Sequence, residues 1–96
     1  MSDLDTPLTD DVVRVLLKER PHWSLEDGAL VRQLIFDDFV EAFAFMTTVA
    51  FAAERLGHHP DWANTYNRVT VRISHHDAGG ITDRCFALAD AVDEAA

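Results

Sequence analysis

Two pairs of adjacent histidines mark this chain, in "GHHPDW" at residues 57–62 and in "SHHD" at residues 74–77. His58, His59, His75, His76, Asp77 and Cys85 are all side chains of types that hold zinc. Their spacing gives no HExxH, no CxxC and no helical HxxxH, so a metal centre is disfavoured. Acid–base chemistry is the other use of such residues. Imidazole titrates near neutral pH, so one ring can accept a proton while a protonated one donates. Histidines at a helix exit and at a strand end could converge on one small molecule. Trp62 and Tyr66 would offer flat apolar contact to a ring, and Asp77 could orient a histidine or accept ring N–H bonds. On residue types alone, solvated or structural histidines and a core-packing Trp62 remain open beside the acid–base reading.

Several elements must position these residues. Thr9 is placed to cap a helix over "DDVVRVLLKER", with Asp10 and Asp11 in its first turn, Lys18 and Arg20 in its last, and Pro21 as its stop. Val13, Leu16 and Leu17 form its buried stripe, and residues 1–8 read as frayed. Asp27-Gly28 is a turn dipeptide between strands at 22–26 and 29–36. A long helix follows over 38–56, ended by Gly57 and Pro60. Phe39, Phe43, Met46, Ala50 and Ala53 recur at helical spacing and predict its packed face. Val40, Ala44 and Phe51 form a second apolar face, which a partner subunit could cover because so short a chain has little protein to surround a helix.

The run "NTYNRVTVRIS" reads as a strand, with Val69, Val71 and Ile73 packed and Arg68, Thr70, Arg72 and Ser74 on the open side. Extended to residue 76, it sends His75 to the packed side and His76 to the open one. "AGG" at 78–80 is a turn. Thr82 caps the last helix, with Ile81 and Phe86 at hydrophobic-staple spacing and Cys85, Leu88, Ala89 and Val92 inside. The order predicts an α+β domain, helices on one face of a small antiparallel sheet of one or two hairpins.

The chain has 96 residues, enough for a single domain over 1–96 and a small core. Its formal charge of −9 repels phosphate backbones, so direct nucleic-acid binding is not expected. With one cysteine, an intramolecular disulfide framework is impossible. The longest apolar stretch is too short to span a bilayer and no signal-like run opens the chain, so a soluble cytoplasmic protein is expected, without membrane association.

The run "FMTTVAFAAERLGHHPDWANTYNRVTVRISHHDAGGIT" resembles the pterin-4a-carbinolamine dehydratase family. The marks are Glu54, His58-His59-Pro60, Tyr66 and His76, with Trp23 and Phe39 upstream, and the likeness extends over roughly residues 20–92. The resemblance implies three helices against a four-stranded antiparallel sheet, and a homodimer or homotetramer. It implies dehydration of a 4a-hydroxytetrahydropterin to the quinonoid dihydropterin, which recycles the cofactor of an aromatic amino-acid hydroxylase, itself a possible partner. No metal or organic cofactor is implied. His59 and His76 would handle the protons with His58 assisting, and Gly57, Pro60, Trp62, Ser74, His75 and Asp77 would contact the pterin. Some animal members also bind a transcription factor. Two positions depart from the pattern. His75 stands where threonine or serine is usual, and strand parity places it on the non-catalytic side. Cys85 stands where Asp is usual, and Asp83 and Asp90 are not obvious substitutes. A buried, inert cysteine is expected there over a reactive thiol. That departure keeps a second reading alive, a weakly catalytic or non-catalytic binding module that acts through a protein partner.

Overall fold

The computed structural model describes residues 3–96. Helix α1 spans Asp10–Leu17, and the Thr9 hydroxyl accepts from the Val12 amide at 3.3 Å as the N-cap. It ends three residues earlier than the sequence pattern suggests. The amides of Lys18, Glu19 and Arg20 bond back only three residues, to Val15, Leu16 and Leu17. Pro21 disfavours α geometry just before it, so the last turn tightens. Arg20 therefore leaves the helix and forks onto Asp90 at 2.8 and 2.9 Å, its guanidinium 4.9 Å above the Phe86 ring.

Strands β1 (Ser24–Glu26) and β2 (Ala29–Ile35) form the expected hairpin. Asp27 and Gly28 both have positive φ, 50° and 77°, the backbone that a two-residue turn of this twist demands. Helix α2 spans Phe39–Leu56, capped by the Asp38 carboxylate on the Glu41 amide at 2.8 Å. Strands β3 (Asp61–Thr65) and β4 (Arg68–Ile73) follow, then helix α3 (Asp83–Ala95). The sheet order is β1-β2-β4-β3, antiparallel throughout. Three helices and a four-stranded open sheet make an α+β fold.

The sheet's inner face presents Leu30 and Leu34 from β2 and Val69, Val71 and Ile73 from β4. Phe45 and Val49 of α2, Leu88, Ala89 and Val92 of α3 and Val13 of α1 join the same core. Ile81 and Phe86 are both buried across the start of α3, as their spacing implied.

Three expectations need correction. "NTYNRVTVRIS" is not one strand but the end of β3, a turn at Tyr66-Asn67 and β4. The turn has no glycine or proline; Tyr66 takes φ 51° instead, and Asn64 Nδ2 donates to the carbonyls of Tyr66 and Arg68 at 3.1 and 2.9 Å. Residues 3–8 are not frayed: Asp5 pairs with Arg84 at 3.1 Å and the Leu8 amide donates to the Ile81 carbonyl at 2.8 Å. Met1 and Ser2 lie outside the described residues.

The third correction concerns α2. Its buried residues are Ala42, Phe45, Val49, Ala52 and Ala53, one position out of phase with the predicted stripe. Of that stripe Ala53 is buried and Met46 half-buried, while Phe39 and Phe43 are exposed. A helix apolar nearly all round carries no phase in its pattern. Small side chains decide it, because Ala42, Ala52 and Ala53 let the helix approach closely and the larger Phe39, Val40, Phe43 and Phe51 do not.

Candidate active site

The αL turn after α2 builds the first half of the site. Gly57 has φ 66°, and the His58 amide reaches back to the Ala53 carbonyl at 3.1 Å, a helix end of the Schellman type. A Cβ at Gly57 would meet only Arg84 Nη1 at 4.0 Å, so glycine is needed there for its backbone, not for space. The turn folds His58 inward, to 8% exposure, and leaves His59 exposed. His59 Nε2 then lies 2.5 Å from Glu54 Oε2 on the last turn of α2. The carboxylate accepts the ring N–H and orients it, a role not assigned to Glu54 from the sequence, although its spacing to His59 was visible there. Arg84 secures the same helix end, donating to the Leu56 carbonyl at 2.9 Å while it holds Asp5. It too was missed, since nothing local links it to residue 56.

The loop after β4 builds the other half. The chain leaves the sheet after Ile73 and closes on itself through a bridge between His75 and Gly80, with a 3₁₀ turn at His76–Ala78 between them. His76 and Asp77 are exposed on this loop. Gly57, His58, His59, Ser74, His75, His76 and Asp77 together line an open cavity of about 300 Å³. Two short segments, 16 residues apart, thus line one cavity.

The cavity corrects the reading of His75. Its side chain does point to the packed side, but at this end of the sheet that side holds His58. The two rings meet edge-on with centroids 4.9 Å apart, and His75 Nδ1 lies 3.0 Å from the Thr82 hydroxyl. Two other proposed contacts fall elsewhere. Trp62 packs against the core and borders a separate depression with Asp61, Ala63, Thr70 and Arg72. Pro60 carries the chain from the histidine turn into β3. Tyr66 is exposed in the β3–β4 turn, at the far end of the strand, roughly 15 Å along it. A second cavity of about 250 Å³ shares Ser74, His75 and His76 and is closed by Asp27, Gly28, Gly79 and Gly80. It brings the β1–β2 turn beside the site, which no sequence signal indicated.

Burial pushes the His58 pKa below the ordinary imidazole value, with His75, Arg84 and His59 adding in the same direction and the Ser74 backbone opposing. The unfolded chain therefore takes up a proton on His58 more readily than the folded one. This contribution to stability is intact above about pH 6.5 and is lost as pH falls through the lowered folded value. Thermal melts between pH 7.5 and 5 should show a falling midpoint, and His58→Gln should flatten that slope. Among the described residues, no three His, Cys, Asp or Glu side chains are grouped so as to hold a metal ion. Nor is any helix among them long and apolar enough to cross a membrane.

The sequence profile of the family described as pterin 4 alpha carbinolamine dehydratase matches residues 6–95. The chain belongs to this family. A pterin-4-alpha-carbinolamine dehydratase, provisionally so named, from Solibacter usitatus is 44% identical over 90 residues, 94% of this chain and 95% of the relative. One of the same name from Synechococcus is 52% identical over 73 residues, covering 76% and 78%. Among solved structures, a transcriptional coactivator/pterin dehydratase from Brucella melitensis superposes with a TM-score of 0.91 at 35% identity, covering 95% of this chain and 99% of that one. A pterin dehydratase-like protein described as a RuBisCO assembly factor of the α-carboxysome shares the fold, with a TM-score of 0.62 at 20% identity over 76% and 84% of the two chains. The expected fold and family are both confirmed for this pterin carbinolamine dehydratase relative.

Proposed function

We propose that this chain dehydrates a 4a-hydroxytetrahydropterin to the quinonoid dihydropterin and water, with the cavity histidines as acid and base. One observation carries the reading: His59 and His76 come from separate segments of a family member and line one cavity. The reaction breaks the C4a–O bond. The oxygen leaves as water once a protonated imidazole has supplied a proton, and a second, neutral imidazole takes a ring N–H proton from the pterin. Each step needs a group near neutrality in its pKa, which carboxylates and lysines lack at pH 7. Glu54 orients His59 through Nε2, so that Nδ1 is the nitrogen left to exchange protons. Asp77 at the rim can accept paired N–H bonds from a pterin's guanidine-like edge. The test is the decay of chemically generated 4a-hydroxytetrahydropterin, followed by ultraviolet absorbance. Purified protein should accelerate it, with or without a chelator. A folded protein that leaves the decay unchanged would overturn the reading.

A second reading, a module that works by binding protein, has its own support in α2. Phe39, Val40, Phe43 and Phe51 are exposed at 48, 74, 55 and 72%. Thr47 and Thr48 on the same helix bond back to the carbonyls of Phe43 and Ala44 at 3.0 and 3.1 Å, so this face turns little polarity outward. A contiguous apolar surface of this kind marks an association site. It supports the homodimer or homotetramer reading, and light scattering at micromolar concentration should give at least twice the monomer mass, reduced by Phe43→Glu. A monomer at that concentration would count against it.

A further inference from the structure

Three cavities at one end of the sheet share their walls. The first, of about 300 Å³, holds the histidines. The second, of about 250 Å³, shares Ser74, His75 and His76 with it and adds Asp27, Gly28, Gly79 and Gly80. The third, of about 280 Å³, shares Gly28, Gly79 and Gly80 with the second, and Pro7, Leu8, Asp10, Val13, Leu25 and Ile81 line the rest of it. The depression beside Trp62 shares no lining residue with any of them. The sheet register explains the arrangement. Leu30 pairs with Ile73, so the β1–β2 turn, just before Leu30, stands beside the loop that leaves β4 after Ile73. Glycines keep the second cavity open: a Cβ at Gly28 or Gly79 would meet nothing within 4 Å. Asp27 is exposed, and neither its carboxyl group nor the Ser74 hydroxyl has a hydrogen-bond partner among the described residues. Among those residues no lysine or arginine lines any of the three cavities, and the chain has a formal charge of −9.

We propose that the second cavity takes the substituent on C6 of the pterin, and that Asp27 in the hairpin turn makes it selective for a short, neutral, hydroxylated chain. The inference rests on the dehydratase reading, which seats the pterin rings in the first cavity. At about 300 Å³ that cavity is at the small end for a ligand site, so a substituent needs further room. Asp77 lines the first cavity and not the second. A pterin held there by its amino edge carries C6 on its other ring, and the shared wall at Ser74–His76 leads on to Asp27. Hydroxyl groups on the chain donate to the Asp27 carboxyl oxygens and bond with the Ser74 hydroxyl. A methyl group stops short of both. A long chain ending in carboxylates meets no cation in this direction and would have to enter the apolar third cavity, where a charge is costly.

Calorimetric binding of three 7,8-dihydropterins to the full chain tests this without turnover. One carries a methyl group on C6, one a dihydroxypropyl chain, and the third, dihydrofolate, an aminobenzoylglutamate arm. The dihydroxypropyl compound should bind about tenfold more tightly than the methyl compound, the size of one hydrogen bond, and dihydrofolate no more tightly than the methyl compound. Asp27→Gly should bring the first two within about twofold of each other, because glycine keeps the positive-φ turn and removes only the carboxyl group. Asp27→Asn also tolerates that backbone and keeps one accepting oxygen, so it should retain part of the difference. The kcat/KM values of the corresponding 4a-hydroxy compounds should follow the same order. Equal binding of the methyl and dihydroxypropyl compounds by the wild type, an unchanged ratio in folded Asp27→Gly, or tightest binding of dihydrofolate would overturn the proposal. Each of those results includes pterin binding and leaves the dehydratase reading standing. If none of the three binds, that reading falls together with the proposal.

Discussion

His76→Ala is expected to lose about 10²- to 10⁴-fold of the catalysed dehydration rate, the range for removing one general acid or base, while keeping its melting midpoint. The two halves of the expectation have separate grounds. His76 is exposed on a loop whose geometry is held by its backbone: the Gly79 amide donates to the carbonyls of His75 and His76, and His75 pairs with Gly80. Truncating an exposed side chain there removes no core contact, and such changes stay within about 0.5 kcal/mol. On the proposed mechanism the rate, in contrast, depends on a second imidazole across the cavity from His59, and no other side chain on the loop replaces it. Asp77 offers carboxyl oxygens as hydrogen-bond acceptors, not an imidazole that exchanges protons. His75 is engaged with Thr82. Initial rates measured beside circular dichroism melts separate the outcomes. An unchanged rate in a folded variant would remove His76 from the mechanism and leave His59 to be tested alone.

Asp93→Ala should be the most damaging single change to the fold outside the apolar core. The Asp93 carboxylate on α3 accepts from Trp23 Nε1 at 2.8 Å and from the Arg32 guanidinium. Arg32 occupies the inner side of β2, between Leu30 and Leu34, and its side chain is only 13% exposed. Removing the acid strands a largely buried cation and an indole N–H. Such a loss costs about 3 kcal/mol, because the penalty is the unpaired charge and not the worth of the pair. For a domain of this size the melting midpoint should fall by about 15 °C. Asp93→Asn, which can still accept from one donor, should fall less. Chemical denaturation with an unchanged m-value would assign the effect to the native state. A loss below 1 kcal/mol would mean that Arg32 reaches water once released.

The chain's local order was legible in the sequence wherever local chemistry determines it. Thr9 and Thr82 were in position to start helices, Gly57 to end one, and Asp27-Gly28 to turn a hairpin. Each acts on backbone groups within a few residues, so its meaning survives without tertiary context. The two histidine pairs also announced themselves, and the family resemblance joined them to a reaction. The phase of α2 was beyond reach, because an almost uniformly apolar helix looks alike from every side until a sheet meets its small residues. The turn at Tyr66-Asn67 lacked the usual punctuation and is held by the side chain of Asn64 and by Asn67, whose amide Nδ2 donates to the Phe36 carbonyl at 2.9 Å. Most of all, only the tertiary structure decided what surrounds His58. Cys85 is 27 residues distant and His75 is 17 residues distant, and both reach the ring because α3 and the loop after β4 pack on the same end of the sheet. Sequence spacing sets which side chains a turn can align; it cannot set which one a distant helix brings against them, because that follows from how the core closes.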